Sequence, residues 1–201
     1  MTMNAFNQAG FAAIHGLSGR NFLADIAGIF FAEWLPYFLV LGFFVVLFLQ
    51  KGTRRRIYIF AEGALAVILA RGIVTPVIQF FYHEIRPYEF YGISPLVTTS
   101  GWSFPSAHMT LFFALATVLW FSAKNRVKGL WYFLLPALIG VARIYAGLHW
   151  PLDIISGAVI GIASALLVRW LLAGSRKRLF VFRGGEGSPL SAVPKDTGAT
   201  S

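Results

Sequence analysis

The 201-residue chain has no cysteine. That excludes disulfides, thiol nucleophiles and cysteine metal sites, and leaves the redox compartment open. Charge is scarce as well. Asp, Glu, Lys and Arg make up 12% of the residues, about half of the roughly 25% usual in soluble domains. Acidic residues are fewest, 8 against 17 Lys and Arg, and no acidic cluster suited to magnesium occurs along the chain. The first residues lack a basic start followed by an apolar run, so no cleavable signal peptide is expected.

The chain is rich in apolar residues, at 57%, with 20 Phe. These gather in five runs, roughly 27–49, 57–81, 104–122, 130–147 and 151–173. Each has about the 20 residues needed to cross a hydrocarbon core of roughly 30 Å. None shows the alternating polarity of a barrel strand, so helices are expected. Residues 3–18 mix Phe and Ile with Asn, Gln and His, a pattern suited to a short interfacial helix. The predicted fold is therefore all-α: an integral membrane helical bundle with about five transmembrane helices and an N-terminal interfacial helix. Residues 1–183 form its single domain, and the Gly-, Ser- and Pro-rich tail 184–201 reads as disordered and cytoplasmic.

The net charge of +9 lies in three clusters: Lys51 with Arg54, Arg55 and Arg56; Lys124 with Arg126 and Lys128; and Arg176, Lys177 and Arg178. Each abuts an apolar run, as cytoplasmic anchors do, and no nucleic-acid recognition module accompanies them. The clusters follow the first, third and fifth runs. Residues 82–103 and the turn at 148–150 are thereby assigned to the extracytoplasmic side of a cell membrane.

Polar residues able to do chemistry collect at that same end. The loop after the second run carries Arg86-Pro87. The third run opens with Ser103-Phe104-Pro105-Ser106-Ala107-His108, the fourth ends near Arg143, and the fifth begins beside His149-Trp150-Pro151-Leu152-Asp153. Pro105 and Pro151 suit helix starts, where a missing N–H costs nothing. His149 and Asp153 are four apart and would share a face in a helical first turn. The carboxylate could then fix one imidazole nitrogen and leave the other free to attack. His108 could protonate a departing oxygen. Arg86 and Arg143 present planar forks for phosphoryl oxygens, and Ser106 adds a hydroxyl at a helix N-terminus. A metal site built from His108, His149 and Asp153 is the chemical rival.

Other polar residues carry structural readings. Arg71 and Glu62 lie inside the second run, nine apart and too far along a helix to pair, so each is expected to pair across the bundle. Glu33 could face the site, with Glu84 and Glu89 competing for that role, and His83 reads as a solvated loop residue.

Taken together, Gln79-x6-Arg86-Pro87, Pro105-Ser106-Ala107-His108 and Arg143-x5-His149-x3-Asp153 resemble the three-part signature of the type 2 phosphatidic acid phosphatase (PAP2) superfamily. The segment Phe31-Ala32-Glu33-Trp34-Leu35-Pro36-Tyr37 looks like the bacterial branch acting on undecaprenyl pyrophosphate. The resemblance implies a PAP2-type core and metal-independent hydrolysis without a cofactor. His149 would form a phosphohistidine, Asp153 would orient it, and His108 would protonate the leaving oxygen and then help activate water. Arg86, Ser106 and Arg143 would hold the phosphoryl oxygens. Two positions depart from the pattern. Gln79 stands where the family has Lys and offers the phosphate an amide instead of a charge, and Ala142 replaces a Ser. Arg71 is no simple stand-in for that lysine, since eight helical residues set it about 12 Å from Gln79.

The expected activity is hydrolysis of undecaprenyl diphosphate to undecaprenyl phosphate, in support of cell-wall synthesis. Phosphatidic acid or phosphatidylglycerophosphate is the alternative substrate, and a non-enzymatic transporter or scaffold is the alternative of another class. The expected partners are an isoprenoid or glycerolipid phosphate and the bilayer, with no nucleic acid.

Overall fold

The computed structural model describes residues 4–174, which are helical with connecting loops and contain no strand. The third basic cluster, Arg176 to Arg178, and the tail 184–201 lie outside the described residues. Helix α1 is the short Ala5–His15, begun by Asn4, whose Oδ1 accepts the Phe6 N–H at 2.9 Å. Among the described residues, four helices are long and apolar enough to cross a membrane: α2 (Phe22–Phe48), α3 (Thr53–Phe81), α6 (Arg126–Tyr145) and α7 (Pro151–Leu171). Between them lie α4 (Pro87–Tyr91), a single short turn, and the apolar α5 (Ala107–Ser122). The protein is thus an all-α integral membrane bundle. The third apolar run is helical from Ala107 rather than 104, because Phe104 to Ser106 enter it as non-helical chain, and its 16 residues make it shorter than those four.

Helix α5 runs through the centre and packs most extensively on α7. Two glycines permit that approach. A Cβ on Gly157 would lie 2.7 Å from the Ser106 carbonyl oxygen, and one on Gly161 would lie 2.5 Å from that of Thr110. Small residues four apart let membrane helices pack backbone to backbone, where dispersion and not the hydrophobic effect holds them. Ala114, Val118, Ala165 and Val168 fill the contact below.

Both α2 and α3 widen into a π-helical turn, at Phe30–Trp34 and Ile68–Val74. A proline causes each. Pro36 and Pro76 lack an N–H, and their rings would strike the carbonyl four residues earlier. The amides just before them reach five residues back instead, Leu35 N–H to the Phe30 carbonyl and Thr75 N–H to the Ala70 carbonyl. These wide turns face the half of the bundle that holds the polar residues. The basic loops, Lys51 to Arg56 and Lys124 to Lys128, lie at the opposite end.

Buried ions in the lower half are paired. Glu62, 1% exposed, accepts from Arg169 Nη1 at 3.0 Å, and the guanidinium also lies 4.0 Å from the centroid of the Phe121 ring. Arg169, not Arg71, is therefore the cross-bundle partner of Glu62. Arg71 itself is exposed at the widened turn of α3, which replaces the expectation of a buried partner for it.

Candidate active site

Three chain segments converge at the polar end: the loop 82–106, the first turn of α5, and the link from α6 to α7. His149 is 2% exposed and Asp153 fully buried. They meet, with His149 Nδ1 3.3 Å from Asp153 Oδ2, though not through a shared helix face. Helix α7 starts at Pro151, so His149 lies outside it. Asp153 folds back over the helix start, and its Oδ2 accepts the Trp150 N–H at 2.8 Å. A carboxylate in the first turn is favoured there by the unpaired amides and the helix dipole.

The neighbours of His149 assign its proton. Arg86 Nη1 lies 3.4 Å from His149 Nε2. A guanidinium has donors only, so Nε2 must be the acceptor and the ring hydrogen sits on Nδ1, facing Asp153. The ring is thus held from both sides, with Nδ1–H toward Asp153 and the Nε2 lone pair toward Arg86. Burial first, and the charges of Arg143 and Arg86 after it, push His149 well below the usual histidine range. It is therefore neutral at physiological pH, as a nucleophile must be.

Arg86 does more than face the nucleophile. Its Nε donates to the Gly101 carbonyl at 2.8 Å, Nη1 to Leu148 at 3.0 Å, and Nη2 to Ser100 at 3.2 Å and Trp102 at 3.4 Å. The guanidinium therefore staples the loop 100–102 to the turn carrying His149. Ser103, to which spacing assigns no role, proves central. Its Oγ donates to Asp153 Oδ2 at 2.5 Å and lies 3.4 Å from His149 Nδ1. Its backbone N–H is fixed by the Glu84 carbonyl at 2.8 Å. Only the folded loop shows this, because the serine is 50 residues from its carboxylate.

Three buried polar atoms of the site have no partner among the described residues: Ser106 Oγ, Arg143 Nε and Asp153 Oδ1. Buried donors are normally satisfied. The Ser106 hydroxyl and the Arg143 Nε–H are donors of the kind that bind a phosphoryl oxygen. Ser106 is itself anchored, its N–H donating to the Asp153 carbonyl at 3.1 Å. Arg143 is 4% exposed and spends Nη1 on the Ala32 carbonyl at 3.3 Å. His108 stands in the first turn of α5 and lines a cavity of about 390 Å³ together with Arg143, Arg71 and Glu33.

The remaining sequence candidates fall to the side. Gln79 Nε2 donates to the Pro105 carbonyl at 3.4 Å, so one of its amide hydrogens supports the segment leading into α5. Glu84 is half-buried behind the loop. Burial, reinforced by the charge of Asp153, pushes its carboxyl up to about 7. Glu89 is exposed and accepts from Tyr88 Oη at 3.1 Å. His83 is exposed, with its ring centroid 4.4 Å from that of Trp102. Among the described residues no three His, Asp or Glu side chains converge as metal ligands would, so His108 does not join His149 and Asp153 in a ligand set.

Comparison with known proteins identifies the family. The chain is 30% identical to the bacitracin transport permease protein BcrC of Bacillus licheniformis over 85% of its own length and 82% of that protein. It is 29% identical to the undecaprenyl-diphosphatase BcrC of Bacillus subtilis, over 78% and 79%. The crystal structure of LpxE from Aquifex aeolicus superposes with a TM-score of 0.67 and 29% identity, covering 82% of this chain and 95% of that one. The sequence model of the PAP2 superfamily matches residues 60–177, the stretch that holds His108, His149, Asp153 and both site arginines, and the chain belongs to that superfamily of membrane lipid phosphatases.

Proposed function

We propose that the protein hydrolyses undecaprenyl diphosphate to undecaprenyl phosphate through a phosphohistidine on His149, on the extracytoplasmic face of the cell membrane. The observation that carries the chemistry is the environment of His149: a buried neutral imidazole with Nδ1 toward Asp153 and Nε2 toward Arg86, beside unpartnered donors on Ser106 and Arg143. Nε2 attacks the terminal phosphorus while the bond to the bridging oxygen breaks. His108 supplies a proton to the departing oxygen and then takes one from the water that cleaves the phosphohistidine. Arg143 Nε and Ser106 Oγ donate to the equatorial oxygens, and the charges of Arg143 and Arg86 offset the negative charge that builds on them.

The substrate reading is supported by the diphosphatase named for the Bacillus subtilis relative and by a cavity bounded by span residues, which suits a headgroup whose tail stays in lipid. Its orientation rests on the two described basic loops at the far end of the bundle. The test is phosphate release from farnesyl or undecaprenyl diphosphate by protein purified in detergent, with His149→Ala as control and acid-stable and acid-labile label compared after quenching. Turnover confined to monoester lipids overturns the substrate, and a near wild-type rate in His149→Ala overturns the nucleophile.

A further inference from the structure

Arg71 is a cation in the membrane-spanning helix α3. At about 1.5 Å per residue it lies about 15 Å below the end of that helix. Among the described residues it makes no hydrogen bond or ion pair. An ionised group at membrane depth is expensive and marks a substrate or ion pathway unless something neutralises it. The other deep cation, Arg169, has Glu62 for that purpose. Arg71 instead lines the cavity that His108 and Arg143 also line.

Its placement comes from the backbone. The widened turn Ile68–Val74, forced by Pro76, adds a residue to that turn of α3. One extra residue rotates the remainder of the helix by about 100° relative to a regular one, and π turns of this kind recur at functional sites. Glu33, in the widened turn of α2 that Pro36 forces, lines the same cavity. Arg71 and Arg143 give that cavity two cations against the one carboxylate of Glu33.

We propose that Arg71 binds the second phosphate of a lipid diphosphate, the one that departs with the lipid; this rests on the diphosphatase reading above. When His149 Nε2 bonds to the terminal phosphorus, the electron pair of the broken P–O bond passes to the bridging oxygen. The leaving lipid monophosphate thereby gains a negative charge, on the side of the site where His108 stands. A phosphate is a far better leaving group than an alkoxide, so this departure depends more on a facing cation than on a proton. Binding that strengthens as charge develops accelerates the step itself. A monoester substrate leaves as an alcohol and places no phosphate at Arg71, so the residue selects for diphosphates.

The test uses the full chain in detergent micelles, with farnesyl diphosphate and farnesyl monophosphate as substrates. Arg71→Gln is expected to lower kcat/KM for the diphosphate ten- to a hundredfold and for the monophosphate less than threefold. Arg71→Lys should recover most of the loss, and the melting temperature should hold, because Arg71 has no internal partner among the described residues. Equal losses on both substrates, no loss on either, or a markedly lower melting temperature in Arg71→Gln would each overturn the subsite. Wild-type protein that turns over the monophosphate but not the diphosphate would refute the diphosphatase reading, and the subsite with it. An active wild type with an unselective Arg71→Gln refutes the subsite alone.

Discussion

Asn7 Oδ1 accepts the backbone N–H of Leu152 at 3.0 Å, across 145 residues of sequence. The contact docks α1 onto the first turn of α7, where backbone amides lack intrahelical partners. The helices come close because position 10 is glycine: a Cβ there would lie 2.8 Å from Pro151 Cγ. Phe11 completes the seam, its ring centroid 5.6 Å from that of Tyr91 and 5.3 Å from that of Trp150. Helix α1 is thus tied to the turn that carries Asp153.

Removing that tie should cost stability and rate together. Asn7→Ala leaves the Leu152 N–H without its acceptor, a loss of about 1 kcal/mol for a capping contact. The melting temperature should fall by a few degrees, and kcat should fall severalfold because His149 and Asp153 flank the loosened turn. Asn7→Asp keeps the acceptor and should restore the melting temperature. Unchanged melting and turnover in Asn7→Ala would show that α1 does not support the site.

Ser103→Ala tests whether Asp153 must be held. Its hydroxyl gives the carboxylate one of its hydrogen bonds, and bonds to charged groups are worth about 1.5–3 kcal/mol. Fully expressed in the transition state, that is roughly a 10- to 100-fold drop in kcat with KM little changed. Asp153→Asn should lose more, about 10²–10⁴-fold, because an amide can turn its own N–H toward His149 and undo the proton placement. A change confined to KM in Ser103→Ala would place the serine on substrate rather than on Asp153.

Glu84 gives stability a pH dependence whose sign can be worked out. Its folded carboxyl is raised from 4.5 to about 7 by burial and by Asp153. Between those values the native state holds more of this proton than the unfolded state, so the contribution of Glu84 to stability falls as pH rises from about 4.5 through 7. Above that range the carboxylate also adds negative charge on the flank of the site, close enough to Asp153 for the two charges to interact. Glu84→Gln should flatten this part of the pH–stability curve and lower KM at about pH 8 relative to wild type. Parallel wild-type and variant curves from about pH 4.5 to 8 would remove Glu84 from both roles.

Five apolar runs and three short motifs suffice to anticipate the bundle and the gathering of His108, His149, Asp153, Arg86 and Arg143 at one end. Helix periodicity and terminal prolines are local properties, and each acts within a few residues of the contact it predicts. The contacts that escape prediction depend on distant segments. Ser103 reaches Asp153 only because the loop 82–106 folds over α7, and Asn7 reaches Leu152 only because α1 returns across the bundle. The contact between His149 and Asp153 is legible in the spacing, but the cap geometry that makes it is not, since spacing alone does not say where α7 begins. For Arg71 the sequence signal is the proline at 76. Its consequence, a widened turn rather than a kink, emerges only in three dimensions.

The ion pair of Glu62 and Arg169 should govern stability without touching chemistry. Both charges lie at the basic-end half of the bundle, away from His149, with Glu62 1% exposed. Arg169→Met leaves the carboxylate without its cation, and breaking a buried pair by removing one partner costs about 3–5 kcal/mol. The double variant Glu62→Leu with Arg169→Met removes both charges and their desolvation, so it should regain most of that loss. Melting in detergent reads the difference, while turnover at low temperature should stay near wild type in every variant that remains folded. If the double variant is no more stable than the single one, the pair contributes through packing of the Arg169 side chain on Phe121 and not through charge.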